Sequence, residues 1–313
     1  MNMKNEITVI IPFKNEGSEV AATIKSLKEM AYATFYIILI NDGSDDGYDY
    51  SPLCNEPYVT YIQHKCTLGP AVSRNEGVSI CKTEYFLLMD GHMRAETSGW
   101  DKIILSILKK QDECIYCCLT DKYVMSQDID TNNSCTVYGM GVRLDLISLK
   151  YQWLYFSQKC ADNMIYKIPC IMGASYCCSK RFWDKIHGLN GLISYGFEEQ
   201  LLSLKTYIDG GSCKAICNVI FAHKFRNANN VPYSTSVSDY IYNKLFIIEL
   251  LYSDELKKKA FQYAKRISDK NKFEKAMSKL IENRELIIKE KLYVKKNFLH
   301  DSNTALKKLT LNI

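Results

Sequence analysis

The sequence contains no apolar run long enough to cross a membrane. A spanning helix needs about 18 or more apolar residues, whereas the longest run, residues 245–252, is much shorter and is interrupted by Glu249. The N-terminus also lacks the apolar core of a signal peptide, because Glu6 and a β-branched segment follow almost at once. From these absences we expect a chain without a transmembrane helix or secretion signal, located in the cytoplasm.

A disulfide framework is a second feature that the sequence does not support. The 13 cysteines are an odd number, and many of them have apolar neighbours, where a free thiol packs as a small hydrophobic group. Without a secretion signal, a reducing compartment is the expected environment. Cys114 and Cys117 could form half of a zinc site, but Cys213 and Cys217 have a poor spacing for the other half. A structural zinc site is therefore not favoured.

What the N-terminal half does contain is a repeated strand, polar loop and helix. Apolar segments at 7–11, 36–40, 58–63 and 85–89 alternate with helical patterns at 19–30 and 70–80. This order is typical of a parallel sheet built from βαβ units. Ligands bind at the carboxyl ends of such strands, so we expect one cleft there, lined by Asn15, Glu16, Asp42, Asp45, Arg74 and Asp90.

The most informative segment follows the apolar run that ends at Met89. Asp90, Gly91 and His92 place a carboxylate and an imidazole two residues apart at a predicted strand end. Oxygen and nitrogen ligands together suit Mn²⁺ better than Ca²⁺. A plain Asp-Gly turn is the alternative for the tripeptide alone, so the metal interpretation depends on its neighbours.

Four ordered segments show that the chain resembles a known family. They are IPFKNE (11–16), INDGSDD (40–46), GPAVSRN (69–75) and MDGH (89–92). Together they resemble the nucleotide-sugar-dependent glycosyltransferases of family 2. The resemblance implies a GT-A fold, which is an α/β, Rossmann-like, mostly parallel mixed sheet flanked by helices, here with an α-helical C-terminal extension.

One position departs from the usual D-x-D metal motif of that family. His92 makes the motif similar to the D-x-H of polypeptide N-acetylgalactosaminyltransferases, and the segment 221–226 resembles the one that supplies their third ligand. The resemblance therefore implies that Asp90, His92 and His223 bind Mn²⁺, with Mg²⁺ as an alternative. Taken alone, His223 would be an ordinary core or surface histidine.

The same resemblance implies a site for a nucleotide-sugar donor, with UDP as the expected nucleotide. Asp42 would contact the uracil ring, Arg74 the base or the phosphates, and Arg226 a phosphate through its bidentate fork, while Asn15 and Glu16 would line the nucleoside pocket. For Asp42 and Asp45, turn formation at a strand end is the alternative. The complete set of expected donor-binding residues is Pro12, Lys14, Asn15, Glu16, Asp42, Arg74, Asp90, Gly91, Gly173 and Arg226.

The acceptor side is expected around Glu198 and Glu199. An acid at the second position is the general base of family 2 enzymes, and it deprotonates the acceptor hydroxyl for inverting attack. This sequence has Glu-Glu where Glu-Asp is more frequent, so the identity of the base stays open; the retaining polypeptide transferases carry Glu-Asn and use no such base. Alternatively, one glutamate only offsets the dipole of a helix predicted at 198–208. In the resemblance, a strand at 168–178 also belongs to the acceptor side, and for the aromatic segment 151–156 core packing is favoured over stacking on a sugar.

The C-terminal region differs in charge from the rest of the chain. Residues 254–313 hold 16 Lys/Arg and 8 Asp/Glu, a net of +8, whereas residues 1–253 hold 24 and 27, a net of −3. Apolar residues recur at three- and four-residue intervals, which predicts two to four amphipathic helices. They either pack on the catalytic domain or a dimer mate, or contact an acidic membrane surface or an anionic acceptor. No nucleic-acid recognition motif accompanies the charge.

The sequence therefore predicts a metal-dependent glycosyltransferase with a catalytic domain at 1–232 and a basic helical region at 233–313. The catalytic domain is divided into a donor half at about 1–112 and an acceptor half at about 113–232. The expected partners are a UDP-sugar donor and a glycan, lipid-linked or peptide acceptor. Peripheral contact with the inner face of a membrane and homo-oligomerisation stay open. A nucleotidyltransferase is disfavoured because residues 13–16 lack the glycines of a phosphate loop. Inversion is the expected outcome, and the alternatives are a retaining transferase of the polypeptide type and a catalytically inactive protein that binds sugar nucleotides.

Overall fold

The computed structural model describes residues 6–122, 137–157, 164–226 and 234–301, together with 305, 306 and 309. Among these residues, no helix is both long and apolar enough to cross a bilayer. Residues 124–135, which are rich in turn-forming residues and are predicted from the sequence to form a loop, lie outside the described residues.

The first half alternates strands and helices as the sequence predicts. The strands are β1 (Ile7–Phe13), β2 (Tyr36–Asn41), β3 (Val59–Gln63), β4 (Tyr85–Met89) and β5 (Met93–Ala95); the helices are α1 (Glu19–Met30), α2 (Pro70–Ile80) and α3 (Trp100–Leu108). A short 3₁₀ turn spans Ser51–Asn55. Every residue of β1 is buried, because helices cover both faces of this central strand and a continuous apolar run is what such a strand requires.

The second half adds six strands, in both parallel and antiparallel pairs, and two further helices. These are β6 (Cys114–Lys122), β7 (Val137–Leu144), β8 (Tyr151–Ser157), β9 (Ile165–Ile168), β10 (Ser175–Ser179) and β11 (Ser212–His223), with α4 (Lys180–Lys185) and α5 (Glu198–Ile208). The expectation of one strand over 168–178 is wrong. The structure ends β9 at Ile168 and begins β10 at Ser175, because Met172, Gly173 and Ala174 form a turn in which Ala174 has a positive φ of 56°.

The described strands form one mixed sheet in the order β3-β2-β1-β4-β10-β6-β11-β5. β1 pairs in parallel with β2 and β4, whereas β10 runs antiparallel between β4 and β6. The reversal at β10 creates a crevice beside the carboxyl end of β4, which is where ligands bind in open α/β sheets. This confirms the predicted α/β fold with a largely parallel sheet.

Four helices form most of the described C-terminal region: α6 (Val237–Leu251), α7 (Asp254–Ile267), α8 (Lys270–Glu282) and α9 (Arg284–Asn297). Tyr242, Leu245 and Phe246 are fully buried and belong to the same hydrophobic cluster as Ile10 and Phe86 of the sheet. The helices thus complete the core of the catalytic region. Two apolar residues of the predicted periodic pattern are instead exposed, Ile267 at 51 % and Leu292 at 63 %.

Candidate active site

Three predicted metal ligands converge at the carboxyl end of β4. His92 immediately precedes β5, and His223 is the last residue of β11; these two strands are antiparallel, with His223 opposite Met93. The pairing brings Nε2 of His92 to 3.1 Å from Nε2 of His223, and the latter atom lies 3.6 Å from Oδ2 of Asp90. Ligand atoms from all three residues lie within 4.8 Å of one another, and no other such group of potential metal ligands occurs in the described part of the chain.

The charges around Asp90 keep its carboxylate ionised. Burial opposes ionisation, but the adjacent imidazole of His223 and the charge of Arg74 outweigh it and hold the pKa of Asp90 well below its usual range. Arg74 donates to Oδ1 of Asp90 at 3.0 Å, and its guanidinium lies over the ring of Tyr176. One carboxylate and two imidazole nitrogens in this arrangement fit a divalent cation such as Mn²⁺.

A second carboxylate lies behind the histidine ligands. Glu16 is buried, and its Oε1 is 3.1 Å from Nδ1 of His92. Arg226 binds both oxygens of Glu16. Although burial alone would raise the pKa of Glu16, the hydrogen bonds and charges of His92 and Arg226 lower it. In this structure Arg226 therefore pairs with Glu16.

These groups border an open cleft of about 530 Å³. Almost the whole predicted site lines it: Pro12, Lys14, Glu16, Asp42, Arg74, Asp90, Gly91, His92, Gly173, Glu198, Glu199, His223 and Arg226. Asn15 and Asp45 are not among the lining residues. Their side chains bond each other instead, with Asn15 Nδ2 donating to Asp45 Oδ1 at 2.7 Å, because the positive φ of 55° at Asn15 turns its side chain towards the loop after β2.

Asp42 lines the cleft and also organises the segment before α2. Its carboxylate accepts the backbone N–H groups of Leu68 and Gly69, each at 2.8 Å, and its Oδ1 lies 2.7 Å from Nδ1 of His64. His64 bridges to Glu76 on its other side. Burial opposes protonation of this imidazole, but the two carboxylates raise its pKa. Turn formation, the alternative given for Asp42, thus accounts for part of its bonding.

At the other end of the cleft, Glu198 and Glu199 begin α5. Oε1 of Glu198 is 3.8 Å from Arg74 and accepts a hydrogen bond from the backbone N–H of Gly196. Glu199 lies against Gly173, where a Cβ would come within 2.8 Å of its Oε1. Burial and the neighbouring Glu198 raise the pKa of Glu199 to about 7, against the opposing charge of Arg74. A carboxylate that titrates near neutral pH has the property expected of a general base.

Aromatic side chains surround this second end, contrary to the expectation that the segment 151–156 packs in the core. Tyr151 is 53 % exposed, and Trp153 stacks on Tyr155 and contacts Phe225. The aromatic residues that line the cleft are Phe13, Tyr151, Trp153, Tyr195, Phe197, Phe225 and Tyr240. Thr120 and Gln200 also line the cleft. Their Oγ1 and Oε1 atoms are buried and have no hydrogen-bond partner among the described residues. Sequence reasoning missed this aromatic rim, since periodicity does not distinguish a ring facing a cleft from one in the core.

The comparisons with known proteins agree with this geometry. The model of glycosyl transferase family 2 matches residues 8–176, which is 169 of the 313 residues. The chain is 27 % identical over 120 residues to the uncharacterized glycosyltransferase YibD of Escherichia coli, covering 37 % of this chain and 35 % of that protein. It is 24 % identical over 278 residues to the putative polypeptide N-acetylgalactosaminyltransferase 13 of Drosophila melanogaster, covering 79 % of this chain and 48 % of the relative. The chain thus spans less than half the length of either relative.

Two solved structures share the fold. GalNAc-T7, crystallised with UDP, GalNAc and Mn²⁺, has a TM-score of 0.65 at 19 % identity and covers 80 % of this chain and 50 % of its own. Residues 1–349 of Staphylococcus aureus TarS with UDP-GlcNAc have a TM-score of 0.51 at 13 % identity, covering 84 % of this chain and 74 % of their own. Because the family model matches more than half of its length, the chain belongs to glycosyl transferase family 2, and its sheet and structural neighbours show a GT-A fold.

Proposed function

We propose that this glycosyltransferase transfers a sugar from a UDP-linked donor to a hydroxyl acceptor, depends on a divalent cation and inverts the anomeric configuration. The observation that supports this most directly is the arrangement of the cleft. A three-residue metal-ligand cluster lies at one end, and Glu199, a carboxylate whose pKa is raised to about 7, lies at the other.

The donor end offers groups suited to a nucleoside diphosphate. Asp42, Arg74 and Lys14 line the cleft beside the metal-ligand cluster. Lys14 already donates to the backbone oxygen of Gly43 at 2.7 Å, which keeps its ammonium at the rim. The UDP in the GalNAc-T7 structure and the UDP-GlcNAc in the TarS structure support a UDP donor.

Metal-dependent chemistry follows from the ligand set. Asp90, His92 and His223 would hold Mn²⁺, with Mg²⁺ as the alternative, and a cation there supplies Lewis-acid stabilisation of the negative charge on a departing diphosphate. Arg74 supplies a fixed positive charge beside Asp90. Preorganised charges of this kind stabilise the transition state because they need little rearrangement during the reaction.

The acceptor would occupy the aromatic end. Glu199 would take the proton of the attacking hydroxyl, and the close approach of Gly173 leaves room for that hydroxyl. The exposed Tyr151 and Tyr240 and the partly buried Trp153 line this end of the cleft. Together with the hydroxyl and amide groups of Thr120 and Gln200, they suit an acceptor that has both apolar and hydroxyl-bearing surfaces. A saccharide is such a ligand, and we propose it as the acceptor class.

One observation favours a second candidate function. The D-x-H ligand set and the similarity to a polypeptide N-acetylgalactosaminyltransferase support a retaining enzyme acting on peptide. The two functions differ in the product: NMR of the anomeric proton of the glycoside distinguishes inversion from retention. A panel of UDP-, GDP-, CDP- and dTDP-sugars in a thermal-shift assay, with and without Mn²⁺, tests the donor, because a ligand that binds the native state raises its apparent stability. Failure to bind any sugar nucleotide, or to release UDP from a bound UDP-sugar, would contradict the proposal.

A further inference from the structure

We propose that Glu16 is a positioning residue that orients the His92 ring for metal binding. This inference rests on the metal-dependent function proposed above, and it gives Glu16 a role different from the nucleoside contact that the sequence resemblance implies. The carboxylate of Glu16 contacts His92 and Arg226.

The hydrogen bond selects one form of the imidazole. An ionised carboxylate can only accept, so Nδ1 of His92 must carry the proton in the 3.1 Å contact with Oε1 of Glu16. The Nε2 lone pair of a neutral ring is then available, and this atom faces His223 Nε2 at 3.1 Å. Ligand histidines commonly donate their other N–H to a carboxylate in this way.

Glu16 is itself held in place. Arg226 binds both carboxylate oxygens in a bidentate fork, and the side chain of Glu16 is only 4 % exposed. The ring of His92 therefore cannot turn without breaking a buried, charge-assisted contact. Arg226 thus fixes Glu16, and Glu16 in turn fixes the ring of His92.

The chain provides a matched control in Glu19. It lies on α1, three residues after Glu16, and pairs in a similar way with Arg94 and Lys224. No contact joins Glu19 to Asp90, His92 or His223 among the described hydrogen bonds and ion pairs. Replacing Glu19 by Ala therefore removes a comparable ion-pair network without removing support from a ligand.

The experiment measures Mn²⁺ binding to the full chain without nucleotide, by electron paramagnetic resonance of free Mn²⁺. We expect Glu16→Ala to weaken Mn²⁺ affinity by about 10- to 100-fold, Glu16→Gln to weaken it less because its amide oxygen still accepts the Nδ1–H, and Glu19→Ala to leave it unchanged. In the metal-free protein, ¹⁵N NMR should show His92 protonated at Nδ1 in the wild type and as a tautomer mixture in Glu16→Ala.

The possible failures are distinguishable. If the wild type binds Mn²⁺ and Glu16→Ala binds it equally well, this inference is wrong while the proposed function stands. Weakened UDP binding by Glu16→Ala with unchanged Mn²⁺ affinity would restore the nucleoside-contact role. A wild type that binds neither Mn²⁺ nor Mg²⁺ would overturn both.

A different observation supports a second inference, that the outer face of α8 and α9 docks on an anionic lipid surface. Four exposed aliphatic residues lie seven, four and seven positions apart, at 69 %, 46 %, 63 % and 69 % exposure: Ile281, Ile288, Leu292 and Leu299. Ile288 and Leu292 are four positions apart and therefore lie on one side of α9, next to the buried Ile287, whereas Ile281 lies near the end of α8. A group of neighbouring aliphatic side chains that are exposed to solvent is typical of an interaction surface.

The charges beside these exposed aliphatic residues indicate which kind of partner binds. Exposed Arg284, Lys289, Lys295 and Lys296 flank it, against exposed Glu282 and Glu285. Basic residues beside aliphatic ones are the arrangement that binds the interface of a membrane with anionic headgroups. A second copy of the same face would instead bring like charges together.

Vesicle co-sedimentation of the full chain tests this inference. We expect binding to vesicles of phosphatidylcholine with phosphatidylglycerol, weaker binding at high salt, and little binding to phosphatidylcholine alone. The double variant Ile288→Asn/Leu292→Asn should lose most of the binding, while Ile80→Asn, the same change at an exposed position on another face, should keep it. Unchanged binding by the double variant, or a concentration-dependent dimer that this variant abolishes, would overturn the inference.

Discussion

The proposed role of Glu199 makes a quantitative prediction about the pH dependence of catalysis. The pKa of Glu199 is raised to about 7, from a usual value near 4.5, by burial and by Glu198. A base must be deprotonated, so the rate should rise with pH through this pKa. About half of the carboxylates are ionised at pH 7 and roughly 1 % at pH 5, which gives an approximately 50-fold fall in kcat over these two pH units.

The groups that face Glu199 determine whether the pKa stays raised. They are Glu198 on the same helix, Arg74 on α2, Asp90 after β4, Tyr151 on β8, Tyr176 on β10 and Tyr240 on α6. Since Glu198 is the largest charge that raises the pKa, Glu198→Gln should move the pH midpoint of the wild-type profile downwards. This shift separates titration of Glu199 from pH effects on metal binding.

The assay is UDP release from a UDP-sugar with saturating Mn²⁺, measured between pH 5 and 8. Glu199→Gln should lower kcat by about 10²–10⁴ with little change in donor affinity, because the loss falls on the transition state. Gly173→Ala should lower kcat as well, since its added Cβ would displace the carboxylate. A flat wild-type profile from pH 5 to 7, or a Glu199→Gln rate within a few-fold of the wild type, would refute the assignment of the base.

Four further measurements test the remaining conclusions. Asp90→Asn should abolish Mn²⁺-dependent UDP release while circular dichroism shows a folded protein, and full activity would remove Asp90 from the metal site. Calorimetry should show tighter binding of UDP than of GDP, whereas the reverse order would contradict the proposed donor. Truncation after residue 235 should yield aggregated protein on expression, because it removes the buried side chains of α6; a folded, active fragment would show that the helices are dispensable. The pKa of His64 is raised in the folded state, so its contribution to the free energy of unfolding should be complete below its unfolded pKa of about 6.5 and lost as pH rises through the folded pKa. Urea unfolding at several pH values measures this contribution. The same pH dependence for His64→Ala as for the wild type would contradict it.

Local pattern in the sequence was sufficient for the donor half of the fold. Buried parallel strands require continuous apolar runs, so β1, β2 and β4 are visible as segments, and each is followed by polar residues where the chain leaves the sheet. Asp90 and His92 belong to one motif of three residues, so the local backbone is sufficient to bring their side chains close together. These features, with the resemblance to family 2, gave the fold class, the cleft and most of its lining residues.

Tertiary structure alone decided which distant groups meet. His223 reaches His92 through the antiparallel pairing of β11 with β5, and strand pairing between segments about 130 residues apart has no local signature. The contact of Glu16 with His92 and Arg226, the bond between Asn15 and Asp45, and the aromatic rim likewise depend on how separate loops pack. Side-chain type predicts what chemistry a residue can perform, but the fold determines the partner with which it performs it.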